Sequence, residues 1–296
     1  MNAPKPLWLA LAPVMFLCLW STGYVVAKIG LQYAEPMTLL VMRYALVVAI
    51  MAVLFVILRP PLPKTRADWG HLAVVGFLIQ AIYFGMSYFA FRAGVAAGTV
   101  ALIMSLQPII VAIIAPRWSG EAIGMRMWVG LTLGLIGAGI VIAARYSIEA
   151  PSVFGFLFCA LGLAGITMGS LWEKRFGLSH HPVTANLVGF TAGLLGVLPA
   201  MLMFETMQVN WTWELTAALA YLVIGNSVIA VGLLLAMIRA GDVGKVSALF
   251  YLVPPMAAVL AWVMLGEVMP PLAWAGMAVA AVGVWLAMRV NAVTTD

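Results

Sequence analysis

The residues of this chain that could do chemistry are few, and their types point to recognition rather than to bond breaking. Gln80, Tyr83 and Ser87 follow one another at spacings of three and four, which places them on one face of a helix. Trp20 and Tyr24 share a face in the same way, as do Met104 and Gln107. Asn226 and Ser227 lie side by side, and Tyr251 follows in the next apolar run. Such rings stack on apolar groups or hold a cation, while amides and hydroxyls offer donors and acceptors to a zwitterionic head group. For each of these residues the competing role is polar glue between helices. Ser105 and Thr167 are expected to bond their own helix backbone. His71, His180 and His181 fall at segment ends or in a loop, so no His and carboxylate share a mid-segment face, and no metal-ligand spacing occurs. An enzyme is therefore not expected, nor a cofactor or metal.

The elements that position these residues follow from composition. Of 296 residues, 65% are hydrophobic and 8% charged, with a mean hydropathy of +1.11. Soluble domains carry roughly 25% charged residues, so this chain has too few charges to clothe a water-facing surface and lipid must be its solvent. Cys18 and Cys159, the only cysteines, sit inside apolar runs and read as small hydrophobes rather than as a disulfide framework. The formal charge of +5 reflects the placement of loop cations, not a nucleic-acid surface.

A bilayer core of about 30 Å needs roughly 20 apolar residues as helix. The runs break at charged, Pro and Gly clusters. They predict ten membrane helices at 7–27, 37–58, 71–91, 95–115, 127–144, 153–172, 183–204, 215–238, 246–265 and 272–288. The first run follows Lys5 as a signal peptide would, but it is too long for one and is expected to stay as a helix. With a cytoplasmic N-terminus, eleven basic residues lie inside: Lys5, Arg59, Lys64, Arg66, Arg117, Arg126, Lys174, Arg175, Arg239, Lys245 and Arg289. Only Lys28, Arg92 and Arg145 lie outside, the asymmetry expected of a chain with both termini in the cytoplasm.

The second half echoes the first. Arg92-Ala93-Gly94 recurs as Arg239-Ala240-Gly241, Ala101-Leu102 as Ala248-Leu249, and Pro108 as Pro255, all at an offset of 147. Gly120-Glu121, Trp128 and Gly130 recur as Gly266-Glu267, Trp274 and Gly276 at an offset of 146, as do Lys28, Pro36 and Thr38 in Lys174, Pro182 and Thr184. Two repeats are thus expected, 1–146 and 147–296. An odd number of helices per repeat turns the second upside down relative to the first. Inverted repeats are the pattern of secondary transporters, with a midplane site between the halves.

These features resemble the EamA-type drug/metabolite transporter superfamily. The likeness rests on the Arg-Ala-Gly…Ala-Leu…Pro pattern of the fourth and ninth helices and on the Gly-Glu…Trp-x-Gly pattern leading into the fifth and tenth. It covers essentially the whole chain, and within the superfamily the chain looks most like the YddG aromatic amino acid exporters. The resemblance implies a multi-pass protein of the cell inner (plasma) membrane. Such a protein would export small neutral metabolites, chiefly amino acids including aromatic ones, by alternating access around a central cavity. A multidrug or other metabolite exporter of the same superfamily is the alternative.

What the helices lack sharpens the expectation. No Asp or Glu falls near the middle of any predicted helix; Glu35, Glu121, Glu173, Glu205 and Glu267 all lie at or beyond the ends. An intramembrane carboxylate is the usual proton relay and the usual counter-charge for a cationic drug. Arg43 is the only charge well inside a helix, and it marks either function or a side chain that snorkels outward to pair with Glu35. Pro108 and the pair Pro254-Pro255 either kink their helices or free a carbonyl for a ligand. Gly130, Gly134 and Gly137 form a small-residue face in the fifth helix, suited to close contact with the tenth helix or with a second copy of the chain in a homodimer.

Overall fold

The computed structural model describes residues 7–107, 109–111, 114, 125–149, 152–176, 180–233 and 252–288. Among these residues the regular elements are all helices, joined by short turns and loops, with one isolated bridge between Ala34 and Val209. The helices are α1 (Leu7–Gly30), α2 (Pro36–Leu58), α3 (Arg66–Arg92), α4 (Ala97–Met104), α5 (Met125–Glu149), α6 (Val153–Phe176), α7 (Pro182–Phe204), α8 (Trp213–Leu233), α9 (Val253–Leu265) and α10 (Pro271–Met288). In six of these the apolar stretch is long enough to cross a membrane: α1, α2, α3, α6, α7 and α8. Their outward residues, such as Val56, Ile57, Leu58, Leu195 and Met203, are apolar and exposed, as a lipid-facing surface requires.

Local sequence sets the boundaries. Pro36 and Pro182, at repeat-related positions, open α2 and α7 where the missing amide costs nothing. Thr65 and Asp68 form a reciprocal capping box at the start of α3, and Thr212 caps α8 by accepting from the Leu215 amide at 3.3 Å. Gly266, at φ +68°, ends α9 in the left-handed conformation that glycine adopts without strain.

Two helices depart from α geometry. Residues Phe77–Tyr83 of α3 and Tyr221–Ala230 of α8 are π-helical. With the offset of 147 that relates these helices, Tyr83 corresponds to Ala230, so both wide segments end at equivalent positions. The π-helix is rare and concentrates at functional sites.

Repeat-related helices pack against each other: α2 on α7, α4 on α9 and α5 on α10. Tyr44 and Phe190, which correspond at the offset of 146, tilt against one another with ring centroids 5.6 Å apart. The α5–α10 seam is made of glycines. A Cβ at Gly137 would fall 2.5 Å from the Gly276 carbonyl oxygen, and one at Gly283 would fall 2.6 Å from that of Gly130. At the offset of 146, Gly137 becomes Gly283 and Gly130 becomes Gly276, so each contact is the image of the other and the helices run antiparallel. The small-residue face of α5 is therefore spent inside the chain, against the tenth helix.

A bulky residue at this seam has no room. Gly137→Leu and Gly283→Leu are each expected to cost at least the ~1–3 kcal/mol of an overpacked core. Thermal unfolding in detergent should show it, while Gly139→Leu, whose site has nothing within 4 Å, leaves the transition where it is.

Candidate substrate-binding chamber

Arg43 lies in the first half of α2, two turns in from Pro36, and is 2% exposed. It does not snorkel and does not meet Glu35, which instead accepts from the Thr206 amide and hydroxyl at 2.9 and 3.0 Å. The guanidinium turns inward. Nε donates to the Ser227 hydroxyl at 3.1 Å, Nη2 to Asn226 Oδ1 at 2.9 Å and to Ser227 at 3.0 Å, and Nη1 to the Tyr88 hydroxyl at 3.2 Å. The Phe84 ring covers one face, its centroid 4.8 Å from Cζ. All of these partners are neutral.

The wide segment of α8 makes this arrangement possible. Ser227 donates its hydroxyl hydrogen to the Leu222 carbonyl, five residues back, at 2.9 Å, leaving its lone pairs for Arg43. Next to Arg43, Tyr44 donates its hydroxyl to the Gln80 carbonyl at 2.7 Å, inside the wide segment of α3. Consecutive residues of α2 thus bind both π segments.

Beside the guanidinium lies a narrow chamber of about 20 Å³, room for about one water as the helices stand here. Helix α1 supplies Trp20, Gly23, Tyr24 and Ala27, and α3 supplies Tyr83, Phe84, Ser87, Tyr88 and Phe91. Arg43 and Asn226 complete it. The Tyr24 and Tyr83 hydroxyls meet at 3.0 Å across its wall. Ser87 donates to the Tyr83 carbonyl at 2.7 Å, so its oxygen is turned along its own helix. Gly23 makes room for Asn226, whose Cγ would lie 3.0 Å from a Cβ there.

Of the residues singled out by sequence, the structure gathers Trp20, Tyr24, Tyr83, Ser87 and Asn226 at this chamber, with Ser227 one layer behind as a partner of Arg43. It places the others elsewhere. Gln80 packs on Gly193 of α7, and its side-chain oxygen is buried without a partner among the described residues. The π segment explains the split from Tyr83: hydrogen bonds spanning five residues widen each turn, so residues three apart no longer share a face. Gln107 donates to the Ser170 hydroxyl at 2.9 Å, a bond from α6 to the residues just after α4. Met104 packs against Gly162. Tyr251 and Pro108 lie outside the described residues, and Pro254 and Pro255 fall in the first turn of α9, where proline breaks no helical bond. Ser105 bonds its own helix through the Leu102 carbonyl at 2.6 Å, as expected; the Thr167 hydroxyl is buried without a described partner. Phe84, Tyr88 and Phe91 are chamber residues that sequence reading missed. Their signal was available, since Phe84, Ser87, Tyr88 and Phe91 repeat at three and four beyond the π segment.

One end of the chamber is bridged by polar contacts between the two halves of the chain. Lys28 pairs with Glu267 at 2.5 Å and also donates to the Val95 carbonyl at 3.2 Å. The other Glu267 oxygen accepts from the Ala97 amide at the start of α4, at 3.3 Å. Glu205 accepts from the Met37 and Thr38 amides at the start of α2, both at 2.7 Å, and from the Thr38 hydroxyl at 2.8 Å. Carboxylates at helix N-termini are favoured by free amides and by the helix dipole.

Comparison with known proteins adds to this picture. The sequence pattern of the EamA-like transporter family matches residues 6–143 and again residues 151–289. A probable amino-acid metabolite efflux pump of Salmonella typhimurium is 25% identical, over 92% of each chain. A probable terminal-alkyne amino-acid exporter of Streptantibioticus cattleyicolor is 27% identical over 98% of this chain and 95% of that one. A solved crystal structure superposes with a TM-score of 0.66 at 19% identity, covering 98% of this chain and all of that one.

Removing one neutral partner leaves the buried guanidinium short of a bond. Asn226→Ala and Tyr88→Phe should each lower stability by ~1–3 kcal/mol, read as a fall in thermal midpoint in detergent. Gln80→Ala, whose side-chain oxygen has no partner to lose, should fall well short of that.

Proposed function

We infer that this chain, which belongs to the EamA-like transporter family, is a secondary transporter that exports amino acids, aromatic ones included, across the inner membrane. The observation that carries the reading is the aromatic chamber toward one end of α1, α2 and α3 of the first half, where they meet Asn226 of the second. Tyr and Trp rings suit an apolar or aromatic body, and the hydroxyls and amide suit a polar head group. Relatives named as amino-acid exporters, similar along nearly their whole length, support the same substrate class.

Ten membrane crossings in two inverted repeats, 1–146 and 147–296, with both termini in the cytoplasm, accommodate the described helices and the distribution of basic residues. In that orientation Lys28, Glu267, Glu35 and Glu205 sit at the outer face. The contacts they make between halves are those of a carrier shut toward the outside, and alternating access requires them to break and re-form in each cycle. The chamber holds no carboxylate among the residues that line it, which weighs against the cationic-drug reading.

The test of function is flux into proteoliposomes of the purified protein without an ion gradient, with Phe, Trp, Met, Thr, a sugar and a quaternary amine. Flux of the neutral amino acids is expected; movement of the quaternary amine alone would overturn the reading. The closure is tested separately. With Cys18 and Cys159 replaced and a cysteine introduced at Ala27, Glu267→Gln should speed labelling by an impermeant maleimide from outside. The expected gain is about two- to fivefold, in line with ~0.5–1 kcal/mol for a partly exposed ion pair. An unchanged rate counts against the outer closure.

A further inference from the structure

We propose that Arg43 is the receptor for a carboxylate, so that the chamber selects amphipathic carboxylates and excludes amines that lack one. The inference rests on the reading of this chamber as the transport site, and it names the group by which the cargo is held.

A guanidinium has five N–H donors. In Arg43 four are engaged, by Ser227 twice, Asn226 and Tyr88, which leaves one Nη1 hydrogen without a described partner. Phe84 covers one face of the group, and Arg43 is among the residues that line the chamber. The bound partners are hydroxyls and an amide oxygen. They satisfy hydrogen-bond geometry but bring no opposite charge. A buried cation held only by neutral groups attracts an anion more strongly than it would in water, because the local dielectric is low. A carboxylate oxygen can take the remaining Nη1 hydrogen in one charge-assisted bond and bring the missing negative charge. Trp20, Tyr24, Tyr83 and Phe91 then form an apolar and aromatic wall around the body of the ligand. The same charge repels a bare ammonium, so the rings do not hold a cation in this site.

The repeat supports a specific rather than an architectural role. At the offset of 146, Arg43 corresponds to Gly189, against whose backbone Gly76 packs. The second half packs α7 on α3 at this position without any charge, so the equivalent packing of α2 on α8 does not itself demand an arginine.

The experiment uses the wild-type full chain and four probes that share one phenyl body: phenylalanine, 3-phenylpropanoate, phenylalaninamide and phenethylamine. Binding is read by ligand-dependent thermal shift in detergent, and transport by counterflow in proteoliposomes. The two carboxylates should bind about tenfold or more tightly than the amide and the amine, the scale of one charge-assisted contact. Arg43→Gln should level the four affinities, and Arg43→Lys should restore part of the preference. Should either variant fail to fold, the wild-type ranking alone decides. Equal binding of acid and amine by the wild-type protein overturns the proposal, as does no binding of either carboxylate at millimolar concentration. If 3-phenylpropanoate binds while phenylalanine neither binds nor moves, the carboxylate receptor stands and amino-acid export falls. If phenylalanine and its amide move equally well, export of amino acids stands and the receptor falls.

Discussion

A guanidinium placed two turns inside an apolar helix has to be enclosed, and the enclosure of Arg43 ties the helices around it together. In a bilayer, helices gain little from burying apolar side chains against one another, because lipid tails are as apolar as leucine. Directional bonds then decide how helices stand relative to each other. Arg43 reaches α8 through Asn226 and Ser227 and α3 through Tyr88, while Tyr44, one residue on, reaches the Gln80 carbonyl of α3. Two adjacent side chains of α2 thereby fix the two wide-turned segments, and those segments fix which faces of α3 and α8 meet the chamber. Each bond to the charged group contributes about 1.5–3 kcal/mol.

How much of this was legible in the sequence depends on whether a pattern survives the local geometry. Apolar runs and their breaks located α1, α2, α6, α7 and α10 to within a few residues, because length and hydropathy decide where a chain can sit in lipid; the run at 95–115 instead turns after Met104, and the run at 246–265 is described as helix only from Val253. Trp20 and Tyr24 kept their common face because α1 is a regular helix. Gln80 lost its relation to Tyr83 because helical spacing does not hold through π turns, and nothing in the local residue types announces those turns. Phe84 and Tyr88 were legible in spacing but passed over, since an aromatic stripe in an apolar helix looks like any lipid-facing one. The glycine face of α5 was plain, but its partner was not: a stripe of small residues states that something approaches closely without saying what. The Lys28–Glu267 contact joins residues 239 apart, a distance that only the tertiary structure bridges.

The near-symmetry of the halves makes their differences informative. Pro36 and Pro182 start equivalent helices, Tyr44 and Phe190 meet as equivalents, and the glycine contacts of the seam exchange with each other. Against that background Arg43 has glycine as its counterpart and Tyr83 has alanine. The scaffold is doubled, whereas the polar and aromatic equipment of the chamber comes mostly from the first half. An architecture of two copies can keep its packing while one copy specialises.

The glycine seam between α5 and α10 carries a consequence for how strongly the halves must hold one another. Two separate chains meeting through such a face would depend on concentration. Joined in a single chain, the same faces meet at an effective concentration on the order of millimolar, so even a weak contact stays formed. Backbones this close tie the two halves together along α5 and α10, so a rearrangement between the halves has either to carry this pair with it or to leave it in place.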